Sequence, residues 1–114
     1  MVIESYDFGS ITIGGRRYTS DVIVMPDKVV DGWWRREGHA VCLEDLEEAL
    51  KAEPEVLVIG TGYYGLVRVP DDVRRALRER GVEVVVEPTR RACEVFNRLL
   101  SEGRRVVAAL HLTC

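Results

Sequence analysis

The sequence has few of the residues that build metal centres and disulfide frameworks. Its 114 residues include three cysteines and two histidines, namely Cys42, Cys93, Cys114, His39 and His111. The cysteine count is odd and no pair has the C-x-x-C spacing, so neither a disulfide framework nor a zinc site is expected. Cys42 and Cys93 stand in apolar surroundings that are typical of small core residues. We predict no bound metal and no cofactor.

Long apolar runs and an excess of positive charge are also missing. The formal net charge is −3, and lysine occurs only at Lys28 and Lys51 among the 16 basic residues. No stretch approaches the roughly eighteen apolar residues of a membrane-spanning helix. The opening segment, MVIESYDFGS, has no basic region followed by an apolar run. We therefore expect a cytoplasmic protein that binds neither nucleic acid nor a membrane surface.

What the sequence does contain is enough apolar residues for one domain that spans residues 1–114. Its hydrophobic content of 46% and charged content of 31% fit a globular protein. Residues 1–42 have short apolar runs separated by glycine and proline, which predicts a β-rich layer. Gly14 and Gly15 predict a hairpin, because glycine adopts the positive φ of two-residue turns. A further extended piece is predicted in KVVDGWWRREGHAVC.

Residues 43–112 alternate between helical and strand patterns. A helix is predicted over LEDLEEALKAE, with leucines on one face and a solvated face of acids, Glu44, Asp45, Glu47 and Glu48. Three strands, EVLVIG, VEVVVE and RRVVAALHLT, are separated by the helices PDDVRRALRERG and TRRACEVFNRLLSEG. Thr89 is the predicted N-cap of the second of these helices. The order β-α-β-α-β predicts an α/β fold with a largely parallel sheet in this half.

The glycine segment VLVIGTGYYGLVRVP, residues 56–70, has the spelling of a dinucleotide-binding loop, Gly60-x-Gly62-x-x-Gly65. Such a site needs a helix that begins within the glycine segment, so that its free N–H groups face the pyrophosphate. Residues 66–69, LVRV, instead predict extended chain, and Pro70 marks a helix start only after them. A dinucleotide-binding domain is therefore not predicted. The glycines are expected to form a sharp turn at the end of a strand.

An anion site at the carboxyl edge of the sheet is an alternative. Ligands in open α/β sheets bind beside the carboxyl ends of the strands, and three such ends are expected to converge here. A helix N-terminus with two arginines lies beside them and offers N–H groups and positive charge to a carboxylate or phosphate. The residues of this candidate ligand site are Gly60, Thr61, Gly62, Thr89, Arg90, Arg91 and His111.

A candidate partner-binding site is the segment Trp33, Trp34, Arg35 and Arg36. Neighbouring residues of an extended segment face opposite sides, so one tryptophan is expected in the core and the other at least partly exposed. An exposed tryptophan beside arginine is typical of interface hot spots. Packing of the β-rich layer over the main sheet explains the two tryptophans equally well, and both interpretations stay open.

The sequence contains no recognisable catalytic constellation. His111 with the nearby Cys114 is the only pairing of a base with a nucleophile that it suggests. No third group that would orient His111 can be identified, which favours a structural histidine. We therefore predict no catalytic residue, and an enzyme is the less favoured class.

Taken together, the motifs resemble the adipogenesis-associated Mth-domain family over almost the entire chain. The segments that carry this resemblance are YDFGSITIGGRRYTSDVIV, GWWRREGHAV, EVLVIGTGYYG and VEVVVEPTRRACEVFNRLLSEGRRVVAALHLTC. The most specific residues within them are Trp34, Arg35, Gly38, His39, Gly60, Thr61, Gly62, Thr89, Asn97 and the ending His111, Leu112, Thr113 and Cys114. The resemblance implies a three-layer α/β fold with a mixed central sheet and an N-terminal β-rich layer, and not a Rossmann domain. The family is largely uncharacterised.

Two functions follow from these observations. Relatives of the family include the respiratory complex I assembly factor three, which implies assembly rather than catalysis. The first hypothesis is therefore a non-catalytic, assembly-factor-like module that binds an unidentified protein, with self-association left open. The second hypothesis is a small-molecule site at the sheet edge, with His111 as the candidate acid or base of a weak enzyme.

Overall fold

The computed structural model describes residues 1–114 as two β-sheets flanked by helices. The strands are β1 (Ile3–Asp7), β2 (Ser10–Ile13), β3 (Arg16–Tyr18), β4 (Val22–Val24), β5 (Val29–Asp31), β6 (Val56–Thr61), β7 (Glu83–Glu87) and β8 (Val106–His111). The helices are α1 (Glu47–Leu50), α2 (Asp71–Glu79) and α3 (Thr89–Ser101), and a 3₁₀ turn over Leu43–Leu46 precedes α1.

The central sheet has five strands in the order β5-β4-β8-β6-β7. Strand β6 pairs in parallel with both β7 and β8, whereas β4 pairs antiparallel with β8 and with β5. The three parallel strands come from the β-α-β-α-β half of the sequence, and the two antiparallel strands come from the N-terminal part. The expected mixed α/β sheet is therefore confirmed.

The N-terminal layer is a separate antiparallel sheet, β1-β2-β3. Gly14 and Gly15 have φ angles of +57° and +83° and connect β2 to β3, which confirms the predicted hairpin. Asn97 of α3 fastens the other edge of this sheet, because its side-chain amide donates to the carbonyl of Ile3 at 2.7 Å and accepts from the Ile3 N–H at 2.9 Å. The small sheet is thus fixed to the helix by hydrogen bonds as well as by packing.

Two apolar cores lie on the two faces of the central sheet. Val56 and Val58 of β6 face the core that contains α3 and the small sheet. Leu57 and Ile59 face the opposite core, which contains α1, α2 and Trp33. Because side chains alternate along a strand, a sheet covered on both faces needs the continuous apolar runs seen in β6 and β8.

The structure corrects two expectations about the segment between the sheets. The predicted extended piece forms a strand only at Val29–Asp31, and after it the chain runs as a loop with a single bridge between Ala40 and Arg68. The predicted acidic face is not wholly solvated, because Asp45 is buried. Its carboxylate accepts from the backbone N–H groups of Cys42 at 2.8 Å and Arg36 at 3.2 Å, so it closes this loop.

Candidate functional site

The glycine segment does not lead into a helix. Strand β6 ends at Thr61, the Gly65 N–H donates to the carbonyl of Gly62 at 3.2 Å, and α2 begins only at Asp71. Between them Arg68 bridges in parallel to Ala40. The helix N-terminus that a dinucleotide phosphate requires is therefore displaced from the glycines, as the sequence predicts.

The three strand ends at this edge converge on Thr89, which is completely buried. Its hydroxyl donates to the carbonyl of His111 at 2.6 Å and accepts from the Gly62 N–H at 2.9 Å. Its backbone N–H donates to the Gly62 carbonyl at 3.0 Å. Thr89 is the first residue of α3 rather than its N-cap, which is Pro88. The predicted capping role is wrong because this hydroxyl joins neighbouring strand ends instead.

Two glycines of this segment are required by close packing. A Cβ atom on Gly60 would lie 2.8 Å from both the Leu110 side chain and the Thr89 hydroxyl. Gly62 has φ +105°, and a Cβ atom there would lie 2.8 Å from the carbonyl oxygen of Thr113. Glycine at these positions thus allows close packing within the protein. The Gly62 amide is bonded to Thr89 and is not free to bind a ligand.

The arginines of the candidate ligand site do not point at a common centre. Arg91 pairs with Glu94 at 3.2 Å on the surface of α3. The guanidinium of Arg90 lies over the rings of Tyr6 and Tyr63, 5.6 and 5.7 Å from their centroids. The structure therefore brings Gly60, Thr61, Gly62, Thr89 and His111 together and turns both arginines elsewhere. Anion binding here stays a prediction.

In the segment Trp33–Arg36, side chains alternate between the interior and the surface. Trp33 is 6% exposed and its indole N–H donates to the Asp45 carbonyl at 2.8 Å, whereas Trp34 is 74% exposed. Arg35 is buried with its guanidinium over the Trp33 ring, and Arg36 is exposed. The expectation of one buried and one exposed tryptophan thus matches the structure, although this segment is not a strand.

Asp21 is the centre of a polar cluster that the sequence did not reveal. Its carboxylate accepts from Arg35 at 2.9 Å, from the His111 ring Nδ1 at 2.7 Å and from the Leu112 N–H at 2.9 Å. Burial raises the pKa of Asp21, but the hydrogen bonds from His111 and Arg35 outweigh it and leave the pKa below its ordinary value. Asp21 directly precedes a short buried strand, and no spacing in the sequence relates it to Arg35 or His111.

His111 consequently has an orienting group, contrary to the expectation from sequence. Its other ring nitrogen, Nε2, lies 3.3 Å from the Thr113 hydroxyl, so an Asp21–His111–Thr113 series exists. Two facts argue against acid–base chemistry there. Arg35 holds the same Asp21 oxygen that His111 contacts, and the five surface cavities include none that any of these residues line.

A second exposed feature is a cluster of aromatic rings at the carboxyl edge of the sheet. Phe8, Tyr63 and Tyr64 contact one another with ring centroids 5.1 to 6.3 Å apart, distances typical of aromatic pairs. Leu66 is exposed in the same loop as the tyrosines. We call Phe8, Tyr63, Tyr64, Leu66 and Arg90 the aromatic edge. Sequence reasoning missed it because Phe8 lies in the β1–β2 turn, far along the chain from the tyrosines.

No helix of the chain is both long enough and apolar enough to cross a lipid bilayer.

Comparison with known proteins relates almost the whole chain to one family. A family model described as a protein of unknown function, DUF498/DUF598, matches residues 3–111. The human NADH dehydrogenase (ubiquinone) 1 alpha subcomplex assembly factor 3 is 36% identical in an alignment 113 residues long, which covers 96% of this chain and 60% of that protein. The chain thus spans about 60% of the length of this relative.

Solved structures repeat this fold over the full chain. A conserved hypothetical protein from Pyrococcus horikoshii has a TM-score of 0.88 and 26% identity, with all of both chains covered. The protein MT938 has a TM-score of 0.82 and 33% identity, and the match covers 99% of this chain and 98% of that one. The similarity therefore includes both sheets and all three helices.

Proposed function

The chain belongs to the DUF498/DUF598 family of proteins of unknown function, and we propose that it is a non-catalytic protein-binding module with an assembly-factor-like role. The name of the human relative describes an assembly factor of NADH dehydrogenase. Because the chain corresponds to 60% of that relative, we propose the class of role, binding a protein during assembly, and not the same partner. The cytoplasm is the location we propose.

The observation that carries the proposal is the exposure of Trp34 on a firmly held loop. Trp34 is 74% exposed, yet the side chains of the residues on both sides of it are buried and hydrogen-bonded. Trp33 is bonded to Asp45, and Arg35 is bonded to Asp21. Because these bonds fix the backbone at Trp34, the loop loses little conformational freedom on binding, and tryptophan is among the residues that dominate binding energy at interfaces.

The surroundings of Trp34 suit a protein surface better than a small molecule. Trp34 borders an open depression of about 400 Å³ whose rim is mostly charged. The charged residues of this rim are Arg36, Glu44, Asp45, Glu47, Glu48 and Lys51. An apolar anchor within a polar, solvated rim is the usual anatomy of a protein interface.

No observation favours the small-ligand alternative over this proposal. The Gly62 amide and the Thr89 hydroxyl, which an anion would need, are bonded within the protein. His111 is held between Asp21 and Thr113 without an adjoining cavity. A thermal-shift screen with phosphates, nucleotides and carboxylates tests the alternative, since a ligand of the folded state raises the melting temperature.

The proposal is tested by quantitative affinity capture with the full chain as bait. The baits are the wild type, Trp34→Ala and a surface control, Val2→Ala, each verified as folded by circular dichroism. We expect a specific protein to be retained by the wild type and the control and reduced at least tenfold on Trp34→Ala, because truncating an anchor of this kind costs about 2 kcal/mol or more. Equal retention by all three baits, or no retained protein, would contradict the proposal.

Self-association is measured on the same preparations. Light scattering on a sizing column reports the mass of each bait across a range of concentrations. A dimer that Trp34→Ala dissociates would identify a second copy of the chain as the partner.

A further inference from the structure

The aromatic edge gathers most of the exposed large apolar side chains of the molecule. Leu66 is 55% exposed, Tyr64 66% and Phe8 50%, and Tyr63 is also exposed. Three separate segments supply these residues and Arg90: the β1–β2 turn, the glycine segment and the first turn of α3. A contiguous cluster of exposed aromatic rings marks an interaction site, whereas apolar residues scattered singly are ordinary.

The backbone beneath these rings is fixed. The Tyr63 N–H donates to the carbonyl of Thr113 at 2.6 Å, and the Gly9 N–H donates to the carbonyl of Leu112 at 2.9 Å. The turn that carries Phe8 and the loop that carries the tyrosines are therefore tied to the same stretch of chain. The relative positions of the rings are set before any partner arrives, which lowers the entropy cost of binding.

The only charged residue of the aromatic edge is Arg90. Arg90 rests on two aromatic rings and takes part in no ion pair, whereas the neighbouring Arg91 is paired with Glu94. The first turn of α3 contains no acidic residue, but the first turn of α2 contains Asp71 and Asp72. The N-terminal end of a helix favours negative charge, and the first turn of α3 supplies none of its own. Two acids lie close to this surface in the sequence, Glu87 before Pro88 and Asp7 beside Phe8, and the Asp7 carboxylate accepts from the Phe8 N–H.

We propose that the aromatic edge is a docking surface for a short acidic segment of a partner protein, one that also carries apolar side chains. Its apolar side chains pack on Phe8, Tyr63, Tyr64 and Leu66, and its carboxylates face Arg90 and the start of α3. The segments that form this surface do not include the one that carries Trp34. The docking surface therefore goes beyond the function proposed above and is tested independently of it.

A protein segment fits this surface better than single-stranded nucleic acid. Nucleic acid also stacks on aromatic rings, but it needs a groove of several cations along its backbone. The aromatic edge offers one unpaired arginine, and the whole chain carries a net charge of −3. One cation among four apolar side chains matches a segment with a few carboxylates and several apolar residues.

The test is selection from a random 16-residue peptide library displayed on phage, with the full chain as bait. Enriched peptides are then titrated against the wild type and against Arg90→Ala and Tyr64→Ala. The matched controls are Arg78→Ala, which removes an exposed and unpaired arginine of α2, and Trp34→Ala, which alters the other surface. All five proteins are first compared by circular dichroism.

We expect the enriched peptides to be acidic and to contain apolar residues. Their affinity falls at least tenfold on Arg90→Ala and on Tyr64→Ala, is unchanged on Arg78→Ala and Trp34→Ala, and weakens with added salt. Enrichment of neutral or basic peptides, equal binding to Arg90→Ala and Arg78→Ala, or no enrichment would overturn the proposal. Tighter binding of a single-stranded oligonucleotide, or a dimer that Tyr64→Ala dissociates, would assign the surface to a different occupant. Loss of binding on Trp34→Ala alone would assign the peptides to the Trp34 surface.

Discussion

The loop at Trp33–Arg36 and the loop at Gly60–Gly65 both display aromatic side chains, but they are held in opposite ways. Side chains hold the first loop, because the Trp33 indole and the Arg35 guanidinium reach inward to Asp45 and Asp21. The backbone of the second loop is bonded to the Thr89 hydroxyl and the Thr113 carbonyl, because glycines let the chain approach its neighbours closely. The conformation of the first loop therefore depends on the side chains of Trp33 and Arg35. The conformation of the second loop depends on glycines, which have no side chain.

Gly62→Ala is expected to have the largest effect, because it introduces a side chain where the second loop excludes one. A Cβ atom there meets main-chain oxygens of Cys114 and Thr113 at 2.7 and 2.8 Å and the residue has φ +105°, so we expect a loss of about 4 kcal/mol in the free energy of unfolding. Gly81→Ala is the control, since Gly81 has φ +80° in open space and should cost about 1 kcal/mol. Urea denaturation measures both, and equal losses would show that the close approach is unimportant.

Asp21→Asn is expected to have the next largest effect, because it removes the anchor of the first loop. The substitution leaves Arg35, which is almost fully buried, without its carboxylate. Breaking a buried pair is costly, but Asp21 keeps some contact with solvent, so we expect a loss of about 2.5 kcal/mol. Asp31→Asn, on an exposed residue bonded to Ser20, serves as the control and should change the urea midpoint little.

Replacing each tryptophan in turn by phenylalanine compares how much the buried Trp33 and the exposed Trp34 contribute to stability. Trp33→Phe removes the bond to Asp45 and part of a buried ring, so we expect a loss of about 1.5 kcal/mol. Trp34→Phe should cost less than about 0.5 kcal/mol, because a substitution on the surface, away from buried rings and buried hydrogen bonds, is nearly neutral. Thermal unfolding followed by circular dichroism measures both variants. A reversed order would mean that the loop is held differently.

Lowering the pH is expected to destabilise the first loop more than the second. The resulting loss in the free energy of unfolding should be smaller than that caused by Asp21→Asn. The pKa of Asp21 lies below its ordinary value of 3.8 in the folded protein. The ionised carboxylate therefore stabilises the fold above that value, and the contribution is lost as pH falls through the folded pKa. The difference in unfolding free energy between wild type and Asp21→Asn should shrink from pH 5 to pH 3. A constant difference would show that the charge of Asp21 does not matter.

The fold could largely be predicted from the sequence because its signals are local. Gly14-Gly15 predicts a hairpin by the φ angles that the turn needs, and the extended residues 66–69 exclude a dinucleotide site by the position of the next helix start. The continuous apolar run of β6 predicts a sheet covered on both faces. Each of these inferences uses residues close together in the chain.

The candidate sites could be predicted only in part, because their contacts join distant residues. A local rule predicts that one tryptophan of the pair is exposed, but not that it is Trp34. The bond between Asp21 and His111 and the contact between Phe8 and Tyr63 depend on how strand ends meet in space. The local rule for helix starts predicts that the Thr89 hydroxyl caps α3, but a tertiary contact decides its partner.

Asn97 gives the small sheet a protection that its strands cannot supply themselves. The outer strand β1 has one edge without a strand partner, and exposed edges of this kind pair with other chains and cause aggregation. The Asn97 amide offers the backbone of Ile3 one acceptor and one donor, the same pair that an adjacent strand would offer. A helix side chain thereby closes part of an edge that would otherwise recruit the strands of unfolded or newly made chains.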